Sequence, residues 1–300
     1  MQSKGKKGTA YIVADLEAST GVWRKNHTLL GREWQEARVE LTRDINAAAE
    51  ALFLWGAEKV VVKDFHRTGF NAIPSQLDRR VNLVSGYYIG PATGYGELHG
   101  ADFALFLGLH ASGGNANGFL PHTLTSRIAE IRVNGKRVCE AELFANVLSE
   151  FGVPVAFFSG CPAACEEVKE RMPWVRTYAV PKDPAVYEDE EKRKRQIAGG
   201  RKGLGEAIMN LPDPRSLPLF FMPGPFDCRV IFQTEEEARR ADSWGFPREG
   251  RVIAFHVREF RELYLNLLKI AYFPKWAYAL RRLVVPLTRL AWRIHSWKHL

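Results

Sequence analysis

Four segments of this chain share one pattern: an apolar, strand-like run ends in side chains that bind metals. They are Val13-Ala14-Asp15-Leu16-Glu17, Val62-Lys63-Asp64-Phe65-His66, Leu107-Gly108-Leu109-His110 and Val138-Cys139-Glu140. A short continuous apolar run bounded by polar residues reads as a strand buried on both faces. Charged groups at the exit of such strands sit where an α/β sheet builds its sites. Carboxylates and imidazoles converging there form the usual ligand set of zinc or another divalent cation.

The periodicity around these segments agrees with an α/β fold. Residues 10–14, 60–62 and 103–107 predict strands. Residues 33–55 place Ala37, Leu41, Ile45, Ala48, Ala49 and Leu52 at helical spacing and stop at Gly56. Residues 128–133 alternate before an Asn134-Gly135 turn, 140–151 predict a helix closed by Gly152, and 153–158 predict a strand. Strand–helix–strand order with short connections implies a largely parallel sheet covered by helices on both faces. Beyond it, the pattern predicts helices over 189–209, 234–240 and 257–272 and strands over 217–222, 229–232 and 251–255. The expected organisation is a basic leader (1–8), a metal-binding catalytic α/β unit (9–210), a smaller C-terminal α/β portion (211–273) and a basic amphipathic helical tail (274–300). The Pro-rich stretch 212–225 is the candidate linker between the two α/β portions. Neither an internal repeat nor a low-complexity tract interrupts this order.

Charge is unevenly placed. The net +8 is exceeded by three leader lysines (Lys4, Lys6, Lys7) and six basic residues in 275–300, which leaves the body between them at about −1. A body so nearly neutral argues against a nucleic-acid-binding face. Four cysteines, Cys139, Cys161, Cys165 and Cys228, are too few for a disulfide scaffold and fit a reducing, cytoplasmic setting. The leader lacks the apolar core of a secretory signal, and no apolar run approaches the roughly 18 residues of a spanning helix. Neither a G-x-S-x-G elbow nor a phosphate-binding glycine loop is present.

Asp15 and Glu17 stand two apart, so on an extended backbone they share a face. Two carboxylates so close are costly unless a cation sits between them. Asp15, Glu17, His66, His110 and Glu140 are too many ligands for one tetrahedral zinc with an open position. They suit two ions about 3.5–4 Å apart, with Asp15 as the bridge. Asp64 is read as hydrogen-bond support for His66, and Glu142 is the rival to Glu140. The Gly/Asn-rich stretch 111–118, with His110 before it and His122 after it, reads as a mobile rim of the site.

These residues resemble the zinc-dependent D-aminopeptidases of the dipeptide-permease (DppA) type. The family's V-D-x-E-G is matched by residues 13–18 with one insertion, its N-D-S-H by Lys63-Asp64-Phe65-His66, and its F-L-G-Y-H-A by Phe106-Leu107-Gly108-Leu109-His110-Ala111. Its S-H-S-M corresponds to Pro121-His122-Thr123-Leu124, and its V-G-E-L-G to Val138-Cys139-Glu140-Ala141-Glu142. The order holds over roughly residues 9–180 and more loosely to about 272. The resemblance implies two zinc ions bridged by Asp15, one also held by Glu17 and His66 and the other by His110 and Glu140. It further implies a catalytic role for His122 and a homo-oligomer. Ala18 and Cys139 replace glycines of the pattern and Phe144 replaces an asparagine, which crowds the pocket.

The activity expected on this basis is hydrolysis of an N-terminal residue from a small peptide or amide. A non-catalytic metal- or ligand-binding relative is the alternative. In the tail, Arg282, Arg289 and Arg293 fall on one side of a helical wheel and Leu283, Leu287, Leu290, Ile294 and Trp297 on the other, with Pro286 expected to kink or divide the helix. Such an element suits either peripheral contact with an anionic membrane or docking on the body or another subunit.

Overall fold

The computed structural model describes residues 6–90 and 92–298. Lys4 of the basic leader and the last two residues of the tail lie outside them. The strands are β1 (Thr9–Ala14), β2 (Lys59–Asp64), β3 (Val81–Val84), β4 (Phe103–Leu109), β5 (Ile128–Val133), β6 (Lys136–Arg137), β7 (Val155–Gly160), β8 (Arg176–Ala179), β9 (Phe226–Phe232), β10 (Arg248–Glu249) and β11 (Val252–Val257). The helices are α1 (Arg32–Trp55), α2 (Glu140–Ser149), α3 (Pro162–Arg171), α4 (Pro184–Glu188), α5 (Glu190–Met209), α6 (Glu235–Arg239), α7 (Phe260–Tyr272), α8 (Lys275–Ala279) and α9 (Arg281–Lys298).

Six parallel strands form the main sheet in the order β3-β2-β1-β4-β7-β8. Its central strands are buried on both faces, as their continuous apolar runs require. In β1, Ala10, Ile12 and Ala14 pack with α1 residues such as Leu41, Ile45 and Leu52, and with Leu204 and Ile208 of α5. Tyr11 and Val13 face the other way, into a core with Leu143, Phe144 and Val147 of α2 and Val168 of α3. Alternation along one strand thus serves two helical layers.

The antiparallel sheet has the order β10-β11-β9-β5-β6. Its strand β5 comes from the first half of the chain, where residues 128–133 were expected as an alternating strand. It pairs with β9, with Ile131 opposite Val230 and Val133 opposite Cys228. The second sheet therefore draws strands from both sides of residue 211.

Residues 217–222 do not form the expected strand. Pro218 within the run and Pro223 and Pro225 just beyond it remove donors that a ladder needs. The segment is held on α2 instead: Phe220 N donates to Ser149 Oγ at 2.9 Å and Met222 N to Asn146 Oδ1 at 2.7 Å. In the tail, Pro286 lies inside α9, and the helical break falls at Leu280, between α8 and α9.

Candidate metal centre

The strand order explains where the centre forms. Connections from β1 and from β4 leave toward opposite faces, to α1 and α2, so the C-terminal ends of these adjacent strands border a crevice. Asp15 follows β1 directly and His110 follows β4 directly. The backbone after β1 is laced to β4: Asp15 N donates to Leu107 O and Ala18 N to Gly108 O, both at 2.8 Å. Gly108 has φ of +76°, and a Cβ there would collide with the Asp15 carbonyl oxygen. That position requires glycine on both counts.

His66 arrives on the turn after β2. Asp64 shapes this turn by accepting from Asn71 N (2.5 Å), Asn71 Nδ2 (2.8 Å) and Ala72 N (2.7 Å), while Asn71 Nδ2 also donates to His66 O at 2.7 Å. Asp64 thus holds the backbone of the turn, whereas the ring nitrogen Nε2 of His66 faces the Thr28 carbonyl at 3.4 Å. Glu140 is the first residue of α2, and its Oε1 accepts from Leu124 N at 2.7 Å. Glu142, its rival, is occupied elsewhere: it accepts from Cys139 N at 3.0 Å and lies 3.5 Å from Arg171. That is a helix-capping role.

The rim loop turns back so that His122 N donates to Ala111 O at 3.2 Å, which lays the His122 ring on that of His110. Leu120 and Leu124, two residues to either side of His122, have φ of +47° and +67°. Left-handed backbone at two leucines is costly, and such strain concentrates where side-chain placement is over-determined.

Among the described residues, three triads of ligand atoms, each mutually within 4.8 Å, result: Asp15–Glu17–His66, Asp15–His110–Glu140 and Glu17–His110–His122. Asp15 divides its two oxygens, Oδ1 lying 3.2 Å from His66 Nδ1 and Oδ2 lying 3.6 Å from His110 Nε2. Glu140 Oε2 is 3.7 Å from His110 Nε2, and Glu17 Oε1 is 3.8 Å from His122 Nε2. All five residues expected as ligands therefore lie buried in one cluster, with the half-buried His122 beside them.

The chemistry of this donor set fits metal. In each histidine one ring nitrogen faces a backbone carbonyl: Thr28 for His66, Ala111 (3.1 Å) for His110 and Leu120 (2.9 Å) for His122. Assigning the proton to that nitrogen leaves a lone pair aimed at the carboxylates. His66 Nδ1 and Glu17 Oε2 are 2.6 Å apart, yet Oε2 accepts no hydrogen bond of acceptable geometry. Two lone pairs that close call for a cation.

The pKa shifts express the same demand. Burial, reinforced by Glu17, raises Asp15 to about 6, and burial likewise raises Glu140. Burial pushes His66 down, but Glu17 and Asp15 outweigh it and lift His66 well above the ordinary histidine value. For Glu17 burial pushes up, and the charge of the adjoining His66 overcomes it, so Glu17 is lowered. Burial and the neighbouring His122 lower His110. For His122 the pull of Glu17 and Glu140 exceeds the burial effect and raises it.

A model of the D-aminopeptidase family matches residues 9–268. The chain belongs to that family. No curated protein sequence matches it. Among solved structures, the Zn-dependent D-aminopeptidase DppA from Bacillus subtilis, described as a self-compartmentalizing protease, superposes with a TM-score of 0.72 at 23% identity. The match covers 89% of this chain and 97% of that one. At that identity the likeness establishes a shared fold. Where this chain departs from the family's sequence pattern, the replacements are packed: Phe144 sits 4.7 Å from Phe65 and 6.0 Å from Tyr95 by ring centroid, and Ala18 and Cys139 are buried.

Some supporting residues carry no local sequence signal. Lys182 Nζ donates to Ser19 O at 2.6 Å and Val22 O at 2.5 Å, bracing the loop after Glu17. Tyr272 Oη donates to Leu124 O, securing the segment that caps Glu140. Glu167 accepts from Ser112 and Asn115 at 2.5–2.9 Å, anchoring the rim loop. Each contact joins residues distant in the chain, so no spacing rule reveals it.

Proposed function

We propose that this chain is a dinuclear-zinc aminopeptidase that removes an N-terminal residue from small peptides or amides. The observation that carries the reading is the division of Asp15 between two metal-competent triads, one with Glu17 and His66 and the other with His110 and Glu140. Asp15 would be the shared ligand and the remaining four residues the separate ones. When bound, such a pair supplies Lewis acidity and an activated water at neutral pH.

The protein's own groups account for the rest. The carbonyls of Thr28 and Ala111 fix the His66 and His110 tautomers, so both rings offer lone pairs toward Asp15. His122 holds Nδ1 against the Leu120 carbonyl, leaving Nε2 to take up a proton and return it to the leaving amine nitrogen. Glu17 and Glu140 raise the proton affinity of His122, which suits that transfer. Burial of Asp15, Glu17, His66, His110 and Glu140 keeps bulk water from them and strengthens the charge interactions among them. A homo-oligomer in a reducing compartment fits the four free, buried cysteines and the self-compartmentalizing relative.

Elemental analysis of zinc-loaded protein, alongside hydrolysis of paired D- and L-aminoacyl amides and dipeptides, tests the proposal. Two metal equivalents with turnover of at least one substrate are expected. Metal bound without turnover across the panel would instead assign a binding relative.

A further inference from the structure

The tail helix α9 turns its apolar side away from the protein. Its inner face rests on the body: the Arg289 guanidinium lies 4.3 Å over the Tyr88 ring, and the His295 ring stacks with Trp34 at 6.5 Å. The opposite face carries Leu283, Leu287, Leu290 and Ile294 at i, i+4, i+7 and i+11, which are 64%, 65%, 54% and 48% exposed. Trp276, at 67%, and Leu280, at 51%, add apolar surface on α8 and at the joint. A docked helix ordinarily buries this stripe, so the packing of α9 leaves it for something else.

The charge around the stripe indicates what. Residues 275–300 hold six basic residues and no acidic one. Arg282, which is exposed, stands about 80° around the wheel from Leu290, at the edge of the stripe. Pairing two copies stripe to stripe would bring the basic residues of two tails together with no acidic side chain in either tail to offset them. An anionic surface answers both features, the leucines leaving water and the arginines meeting headgroup charge. The segment also lies beyond residue 268, where the family match ends, so the shared fold does not call for it.

We propose that α9 seats its Leu283–Leu287–Leu290–Ile294 face on an anionic lipid bilayer, lying in the plane of the interface. The contact is peripheral, since no helix among the described residues is long and apolar enough to cross a membrane. It stands independently of the hydrolytic reading. The inner face of α9 nonetheless touches the metal centre's framework: Arg289 packs on Gly86, Gly86 N donates to Gly69 O at 2.7 Å, and Gly69 N donates to His66 O at 2.8 Å.

Flotation of the full-length protein with vesicles tests this, using phosphatidylcholine alone or with phosphatidylglycerol added. Wild type should float with the anionic vesicles and partition roughly tenfold less onto phosphatidylcholine alone or in high salt. Leu287→Asp/Leu290→Asp should cut anionic partitioning by roughly tenfold or more while keeping the thermal midpoint and metal content, because both positions face solvent. Arg282→Glu provides a second variant and should weaken flotation several-fold. Absence of wild-type flotation, or equal flotation of the double variant, overturns the proposal. A smaller oligomeric mass for the double variant without wild-type flotation overturns it too, assigning the face to a second copy of the chain.

Discussion

The His110 and His122 rings stack face to face, with centroids 3.8 Å apart and planes 11° from parallel. Their environments drive them apart electrostatically, His110 toward the neutral form and His122 toward the protonated form. Divergent pKa values in adjacent titratable groups mark a division of labour. Here the neutral imidazole suits a ligand and the readily protonated one suits proton transfer.

His122→Ala should lower kcat by about 10²–10⁴-fold while the protein retains its zinc. His110→Ala should lose zinc as well as activity. Parallel elemental analysis and kinetics check both, and loss of zinc from the His122 variant would move that residue into the ligand set.

The two acids at the start of α2 should separate cleanly. Glu140→Gln is expected to reduce metal content and abolish turnover, since Glu140 lies in the Asp15–His110 triad. Glu142→Ala should leave metal content unchanged and destabilise the fold by about 1 kcal/mol through loss of its cap. Chemical denaturation of both variants with metal quantification distinguishes the two roles.

Gly108→Ala should be among the most disruptive single-methyl additions in this protein. It forces a side chain into left-handed backbone and against the Asp15 carbonyl. A loss of about 1–3 kcal/mol from backbone strain alone is expected, with reduced zinc affinity because Asp15 must shift. Thermal unfolding and competitive zinc titration with a chelator measure the two effects.

Burial pushes the Lys182 ammonium down to about 7. Below that pH both folded and unfolded chains carry the proton, and the folded state bears the full burial penalty. From about 7 up to the ordinary lysine value the unfolded state binds the proton and the folded state does not, so stability rises with pH. The slope for one such group approaches ~1.4 kcal/mol per pH unit. Lys182→Met should remove that increment, read as a shallower rise in the denaturation midpoint of zinc-loaded protein between neutral and alkaline pH. An unchanged slope would show that Lys182 does not titrate in this range. Lys63, buried and also lowered to about 7, contributes with the same sign and remains in both proteins.

Much of the centre was legible in the sequence because parallel strands buried on both faces leave few places for charge. A continuous apolar run such as Val60-Val61-Val62 that gives way to Asp64 and His66 announces a strand end with chemistry on it. The α1 helix was equally plain, its apolar residues recurring at helical spacing up to Gly56. Strand β5 was legible as a strand but its partner was not, because β9 lies about a hundred residues away and pairing leaves no local trace.

The amino-acid order by itself determined which side chains stand at strand ends, since local periodicity sets how each element forms and where it stops. Only the tertiary structure decided that β1 and β4 lie side by side, which brings Asp15 to His110. It alone decided that the rim loop folds His122 onto His110, that Thr28 and Lys182 brace the centre, and that α9 shows its leucines to solvent. These outcomes follow from long-range packing, in which each segment's neighbours are chosen by the burial and hydrogen bonding of the whole molecule.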